Sequence, residues 1–377
     1  MQEKFSIRNW RNIMTVEEIL DIPPFSSGRE EKRRILMDRL LELTRYHQHN
    51  CPEYGKIMRA FGWDTDTMKE LEELPYIPVR LFKELELKSV PSEEIFKTLT
   101  SSGTTSQQVS RIYLNRRGAS LQQKTLVKIV TEFTGHQRMP MLIIDCPSVI
   151  KNRQMFSARG AGILGFSIFG TDKTYALNDD MSLNLPAVKE FLEKHQGEDI
   201  LLFGFTFMIW QHFYKELKKQ TCATGDTLDL SHGILIHGGG WKKLQKEAVS
   251  PQDFQKCLTD VCGLSKVHDY YGMVEQTGCV SMQCECGHLH VSLFSDIIIR
   301  DPVTFQPCQT GEKGLIQVLS ILPESYPGHS IFTEDEGILL GEDDCACGRK
   351  GKYFRVTGRI KNAEIRGCSD TYAAKFK

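Results

Sequence analysis

The chain has 377 residues, 40% of them hydrophobic and 25% charged, a balance that excludes intrinsic disorder as the main state. Lys+Arg 47 against Asp+Glu 48 leaves a net charge of -1, which argues against a basic nucleic-acid binder and a polybasic membrane binder. No stretch approaches the roughly 20 apolar residues of a membrane helix, and MQEKFSIRNW lacks the apolar core of a signal peptide, so a cytoplasmic protein with reduced thiols is expected.

In chain order, RNIMTVEEILDI and EEKRRILMDRLLELTRYHQHN space their apolar residues by three and four, which predicts helices. Thr15 with Glu18 has the form of a capping box. ELPYIPVRLF ends this helical region, taken as residues 1–90. A Ser/Thr/Gly-rich loop within 96–114 runs into the strand-like RIYL. Residues 91–280 read as an α/β core. There helical GASLQQKTLVKIVTEFTG precedes the strand MLIID, LPAVKEFLEKH precedes DILLFGF, and FMIWQHFYKELKK precedes GILIHGGG. Short apolar strands alternating with helices imply a largely parallel sheet covered on both faces, with ligands beyond the carboxyl ends of its strands. Residues 281–377 read as a β-rich subdomain, with strand pieces HVSLFSDIIIR and GLIQVLSI.

The residues with chemical potential lie at loops. In TSSGTTSQQVSR, Gly103 frees the backbone, and the hydroxyls of Ser101, Ser102, Thr104 and Thr105 can wrap phosphate oxygens. The spacing is not that of a P-loop. In YYGMVEQTG, Glu275 can hold magnesium and Tyr271 can lie against a purine; a strand-end turn with a solvated Glu is the plainer alternative. Gly238, Gly239 and Gly240 of HGGGW permit a flat ring to approach, or simply form a turn. Asp335 is a candidate acceptor for ribose hydroxyls, and Arg359 a candidate partner for ribose or phosphate. His237 is equally a substrate contact or a packing residue.

TSSGTTS, HGGGW, YYGMVE, TED and GRI occur in the order of the adenylate-forming enzymes. Within that superfamily the chain resembles the LuxE-type acyl-protein synthetases, also through LIIDCPS, FSARGAGILGFSIFG, LLFGFTFMIW and GRIKNAEIRGCSD. The resemblance implies an α/β fold of the adenylate-forming N-terminal-domain type, with largely parallel sheets flanked by helices, a β-rich C-terminal subdomain and no full mobile C-terminal domain. It implies ATP and magnesium as cofactors and a long-chain fatty acid as substrate. Cys368 is the implied acyl acceptor, near Lys361, Arg366 and Lys375, and an acyl-CoA/aldehyde reductase-type protein is the implied partner. FSARGAGILGFSIFG and FGFTFMIW are candidates for an acyl slot, or plain core. Two departures stand out. Ser106 replaces the second glycine of the phosphate loop, and no lysine follows in place, which leaves Arg111 to supply the charge. The chain ends nine residues after Cys368. A phenylacetate-CoA-ligase-like synthetase and a non-catalytic scaffold of the same fold are the alternatives.

Twelve cysteines include two C-x-C pairs. Cys284 and Cys286, His288 and His290, and Cys345 and Cys347 offer six N/S groups, where a structural zinc needs four. The phenylacetate-CoA ligases, similar in a C-x-C-G-R turn like Cys345 to Arg349, imply a zinc here. Cys284, His290, Cys345 and Cys347 are the preferred set, with Cys286 a rival to either of the first two.

Overall fold

A computed structural model of the chain describes residues 13–101, 109–150 and 158–360. Its strands in chain order are β1 (Ile77–Pro78), β2 (Lys97–Thr100), β3 (Arg111–Leu114), β4 (Met139–Ile144), β5 (Gly170–Tyr175), β6 (Ile200–Phe205), β7 (Gly233–Gly238) and β8 (Lys266–Tyr271). Then follow β9 (Ser281–Gln283), β10 (Leu289–His290), β11 (Ser295–Arg300), β12 (Lys313–Ser320), β13 (Ser330–Glu342) and β14 (Lys352–Arg359). One mixed sheet runs β11-β12-β13-β14-β10-β9-β8-β7-β6-β4-β5, with β1 added beside β13, while β2 and β3 form a separate hairpin.

β4, β6 and β7 are buried at every position. Parallel strands covered by helices on both faces are nearly continuous apolar runs, and these three are apolar but for His237 near the end of β7. The period of two then divides them between two cores. Met141, Ile143, Leu201, Phe203, Ile234 and Ile236 pack into one. Leu142, Ile144, Leu202 and Leu235 pack into the other. A third cluster, with Ile297, Ile299, Ile316, Val318 and Phe354, fills the antiparallel half.

The flanking helices start where their side chains allow. Asn115 accepts from the Gly118 N–H at 2.7 Å and opens the helix Arg116–Thr134. Asn184 and Ser250 cap Leu185–Lys194 and Pro251–Cys262 in the same way. The expected Thr15–Glu18 capping box forms at the helix Val16–Asp21. After β6 the chain turns at once into helix, and Ile209–Tyr214 is wound as a π-helix, a form that recurs beside functional sites.

The long helix Arg29–Asn50 is fixed to the antiparallel half by buried polar groups. Arg39 pairs with Glu42 at 2.6 Å and with Glu324 at 2.5 Å, and Glu324 also pairs with Arg117. Breaking such a buried network costs about 3–5 kcal/mol, because a charge is left unpaired. Next to it, His47 and His329 stack with ring centroids 5.0 Å apart. His47 Nε2 faces the Pro323 carbonyl at 2.9 Å, so it is the donor and Nδ1 accepts from Ser89 Oγ at 2.7 Å. Thr44 Oγ1 donates to the Leu40 carbonyl and so accepts from His329 Nε2 at 2.9 Å. Both rings are therefore neutral. Burial drives His47 down to about 3 and His329 well below its ordinary value.

Below pH 6.5 the unfolded chain gains protons on these histidines that the folded chain refuses. The stability they contribute is thus complete above pH 6.5 and is lost as pH falls towards the folded value. Between about pH 6.5 and 5 each should cost about 2 kcal/mol of unfolding free energy. Urea titrations at both pH values should show this loss, and His47→Gln should reduce it by one histidine's share.

Candidate adenylate site and metal centre

The register of the parallel strands sets the site. Ile144 pairs with Gly204, Phe205 with Gly238, and Gly238 with Tyr270. The chain therefore leaves β4, β6, β7 and β8 at nearly one level. Asp145, Thr206, Gly239 and Gly272 follow directly.

At the end of β7 the three glycines serve different needs. A Cβ on Gly238 would meet the Tyr270 ring at 2.8 Å, and one on Gly239 would meet the Phe205 ring at 2.7 Å. Gly239 and Gly240 both have positive φ, and nothing lies within 4 Å of where a Cβ would stand on Gly240. Two of the three thus make room for the protein's own rings, and the third faces open space. His237, just before them, is buried and bonds Thr206 Oγ1 at 2.9 Å. Burial, with His268 nearby, pushes it down to about 3, so it is neutral.

At the end of β8, the Tyr271 hydroxyl donates to Asp335 Oδ2 at 2.9 Å. Arg359 Nε donates to Asp335 Oδ1, also at 2.9 Å. Asp335 and Arg359 face each other across β13 and β14. Two residues from separate motifs thus meet on the carboxylate of a third. Burial and the Asp335 charge hold the Tyr271 hydroxyl well above its usual range. Glu275 follows in the turn Val274–Gln276 and is buried. The Tyr326 hydroxyl donates to its carbonyl at 2.8 Å, and the Gln276 amide donates to the Val318 and Gly328 carbonyls, so the turn is held from two sides. Tyr270 and Tyr326 carried no sequence signal beyond their aromatic character.

The hairpin β2–β3 brings Thr100 opposite Arg111, and Arg111 is exposed. Ser101 N–H donates to the Ser110 carbonyl, and Ser110 N–H donates to Ser101 Oγ at 2.9 Å, which closes the base of the loop. Ser102, Gly103, Thr104, Thr105 and Ser106 lie outside the described residues, as do Cys368, Lys361, Arg366 and Lys375. The segments expected to line an acyl slot are largely packed. Phe166 stacks on Phe203 at 4.6 Å, and Ile163, Phe169, Phe207 and Met208 are buried in the same core.

Around β9 and β10, which lie between β8 and β14, Cys284, His290, Cys345 and Cys347 place one ligand atom each within 4.8 Å of one another, a set that could hold a metal ion. Cys286 stays outside that set, and His288 Nδ1 lies 3.4 Å from Cys345 Sγ. The two C-x-C turns are built alike: Gly287 N–H donates to the Cys284 carbonyl and Gly348 N–H to the Cys345 carbonyl. His290 Nδ1 is buried without a hydrogen-bond partner. Burial pushes the Cys284 and Cys345 thiols up, so a cation among them would be what keeps them as thiolates.

A family model described as "Acyl-protein synthetase, LuxE" matches residues 7–377. A long-chain-fatty-acid–luciferin-component ligase of Aliivibrio fischeri is 25% identical, over 90% of this chain and 88% of the relative. The ligase of the same name from Vibrio harveyi is 24% identical, over 97% and 95%. A phenylacetate-coenzyme A ligase of Thermus thermophilus is 22% identical, over 85% and 68%. Among solved structures, an open conformation of 2-hydroxyisobutyryl-CoA ligase superposes with a TM-score of 0.65 at 14% identity, over 95% of this chain and 81% of that one. The fold is that of the adenylate-forming ligases.

The glycine loop yields a test. Alanine at Gly240 meets only its positive φ, a cost of about 1–2 kcal/mol. Alanine at Gly239 adds overpacking against Phe205, about 1–3 kcal/mol more. Unfolding midpoints should therefore rank Gly239→Ala below Gly240→Ala; equal losses would mean that the Phe205 ring yields.

Proposed function

Since the chain belongs to the acyl-protein synthetase, LuxE, family, we propose that it activates a long-chain fatty acid with ATP and passes the acyl group to the thiol of Cys368. In the first step a carboxylate oxygen attacks the α-phosphorus, the bond to the β-phosphate breaks, and pyrophosphate leaves the acyl-adenylate. In the second the Cys368 thiolate attacks the acyl carbonyl, and AMP leaves with the bonding pair. The sum is acid, ATP and thiol to thioester, AMP and pyrophosphate.

The first step brings negative charge to negative charge, so positioning and electrostatics must do the work. Ser101, Ser102, Gly103, Thr104 and Thr105 are assigned to the phosphates, with Arg111 as the cation. Asp335 and Arg359, with Tyr271 and Gly272, are assigned to the nucleoside, and Gly238, Gly239 and Gly240 to the base. Glu275 would hold magnesium, since a single carboxylate beside phosphate oxygens is the donor set that ion prefers. The bound ion supplies charge neutralisation at the phosphates. The observation that carries the reading is the convergence of Tyr271 and Arg359 on the Asp335 carboxylate, at the end of the strand next to β7. A reductase-type protein is the proposed recipient of the acyl group, as part of a fatty acid reductase complex.

Labelled tetradecanoate with ATP and magnesium should leave one hydroxylamine-labile acyl group per chain. Cys368→Ser should still catalyse ATP–pyrophosphate exchange yet retain no label. Label on another residue would displace Cys368, and a requirement for CoA with acyl-CoA as product would favour the CoA-ligase reading.

We also assign a structural zinc to Cys284, His290, Cys345 and Cys347, whose two thiolate-bearing turns and single imidazole suit a closed tetrahedral site. Protein purified without added metal should carry about one zinc per chain. Cys345→Ser should lose it and melt several degrees lower; metal-free protein of unchanged melting temperature would end the assignment.

A further inference from the structure

Arg159 lies in the helix Ala158–Phe166 and is only 7% exposed. Its hydrogen bonding is poor for a buried guanidinium. Nη1 has the thioether of Met208 at 3.5 Å, and Nε has no hydrogen-bond partner. Asp145 Oδ2 stands 3.2 Å from Nε as a counter-charge, but that oxygen accepts no hydrogen bond either. The other Asp145 oxygen is taken by the Cys146 N–H at 2.8 Å. Arginine is selected inside proteins because its planar fork matches a carboxylate or phosphate, and here, among the described residues, Nε makes no hydrogen bond.

The electrostatics point the same way. Burial pushes the Asp145 carboxyl above its ordinary range, although Arg159 draws it down.

The location is equally specific. Asp145 follows β4 and Met208 follows β6, and these strands are neighbours. The Phe205 ring links this corner to the glycine loop: a Cβ on Gly162 would meet it at 2.9 Å, and a Cβ on Gly239 at 2.7 Å. One phenyl ring thus separates the helix that carries Arg159 from the end of β7.

We propose that Arg159 binds the carboxylate head group of the acid substrate, which takes the place of Asp145 as its counter-charge. The proposal rests on the acyl-activating reading and supplies the acid-binding group it lacks. A long-chain carboxylate is the class of ligand, and an uncharged chain of equal length is its control.

Binding of tetradecanoate and of tetradecanol to the full chain, without ATP, separates the possibilities. The wild type should prefer the acid. Arg159→Met should lower the acid-over-alcohol ratio by about tenfold or more, the scale of a hydrogen-bonded charge. In pyrophosphate exchange the same variant should raise KM for the acid and leave KM for ATP unchanged. Asp145→Asn removes the competing carboxylate and should enlarge the acid preference; this variant decides if Arg159→Met does not fold. An unaltered ratio in Arg159→Met, or an unaltered or smaller one in Asp145→Asn, overturns the proposal. A wild type that binds acid through Arg159 but makes no acyl-adenylate would sink the acyl-activating reading alone. Adenylate formation with acid binding indifferent to Arg159 would sink this inference alone.

Discussion

One carboxylate holds the two halves of the sheet together where the site opens. Asp335 belongs to the antiparallel half and accepts from Arg359 on the neighbouring strand and from Tyr271 at the end of the parallel half. Each oxygen takes one bond and keeps a lone pair free, and a shift of Tyr271 would cost its hydroxyl an acceptor, about 1–3 kcal/mol.

Rigidity on the other side of the site is apolar. Phe166, Phe203 and Tyr270 form a run of rings, 4.6 Å and 5.0 Å from Phe166 to each of its neighbours. Gly238 and Gly239 are needed because two of the surrounding rings, Tyr270 and Phe205, occupy the volume a side chain would take. The loop is thereby held close to the sheet while Gly240 remains open. The same crowding explains why most of the apolar residues of FSARGAGILGFSIFG and FGFTFMIW are packed into the two cores.

The Cys/His group plays a different part. It lies between the β9–β10 turn and the connection from β13 to β14, two segments that regular pairing joins only through β10 and β14. Arg349 extends the junction outwards. It pairs with Glu285 at 2.7 Å and lies over the Phe133 ring at 4.3 Å, so the second C-x-C turn is tied both to the first and to the helix Arg116–Thr134. A small, loop-rich corner without much apolar surface gains its order from such polar cross-links.

Much of this was written in the sequence. The apolar runs MLIID, DILLFGF and GILIHGGG became β4, β6 and β7 because strands buried on both faces leave no freedom in composition. The capping pair Thr15–Glu18 and the helices before each strand followed from local periodicity, and the family from motifs in a fixed order. The Cys/His spacing likewise named the four groups that the fold gathers, but it could not remove Cys286, because two cysteines two residues apart differ only in which way their turn points them. Chain-distant partnerships were beyond it. Asp335 was readable as a free acceptor, yet it is already shared by Tyr271 and Arg359. Arg159 and Asp145 were not singled out, although FSARGAGILGFSIFG and LIIDCPS contain them. Local sequence determines which residues are apolar, which turns are possible and which chemistries are present, since these depend on neighbours a few positions away. Only the tertiary structure decided which charges face each other and which are left wanting a partner, because Coulomb and hydrogen-bond energies depend on distance in space, and strand register, not chain order, sets that distance.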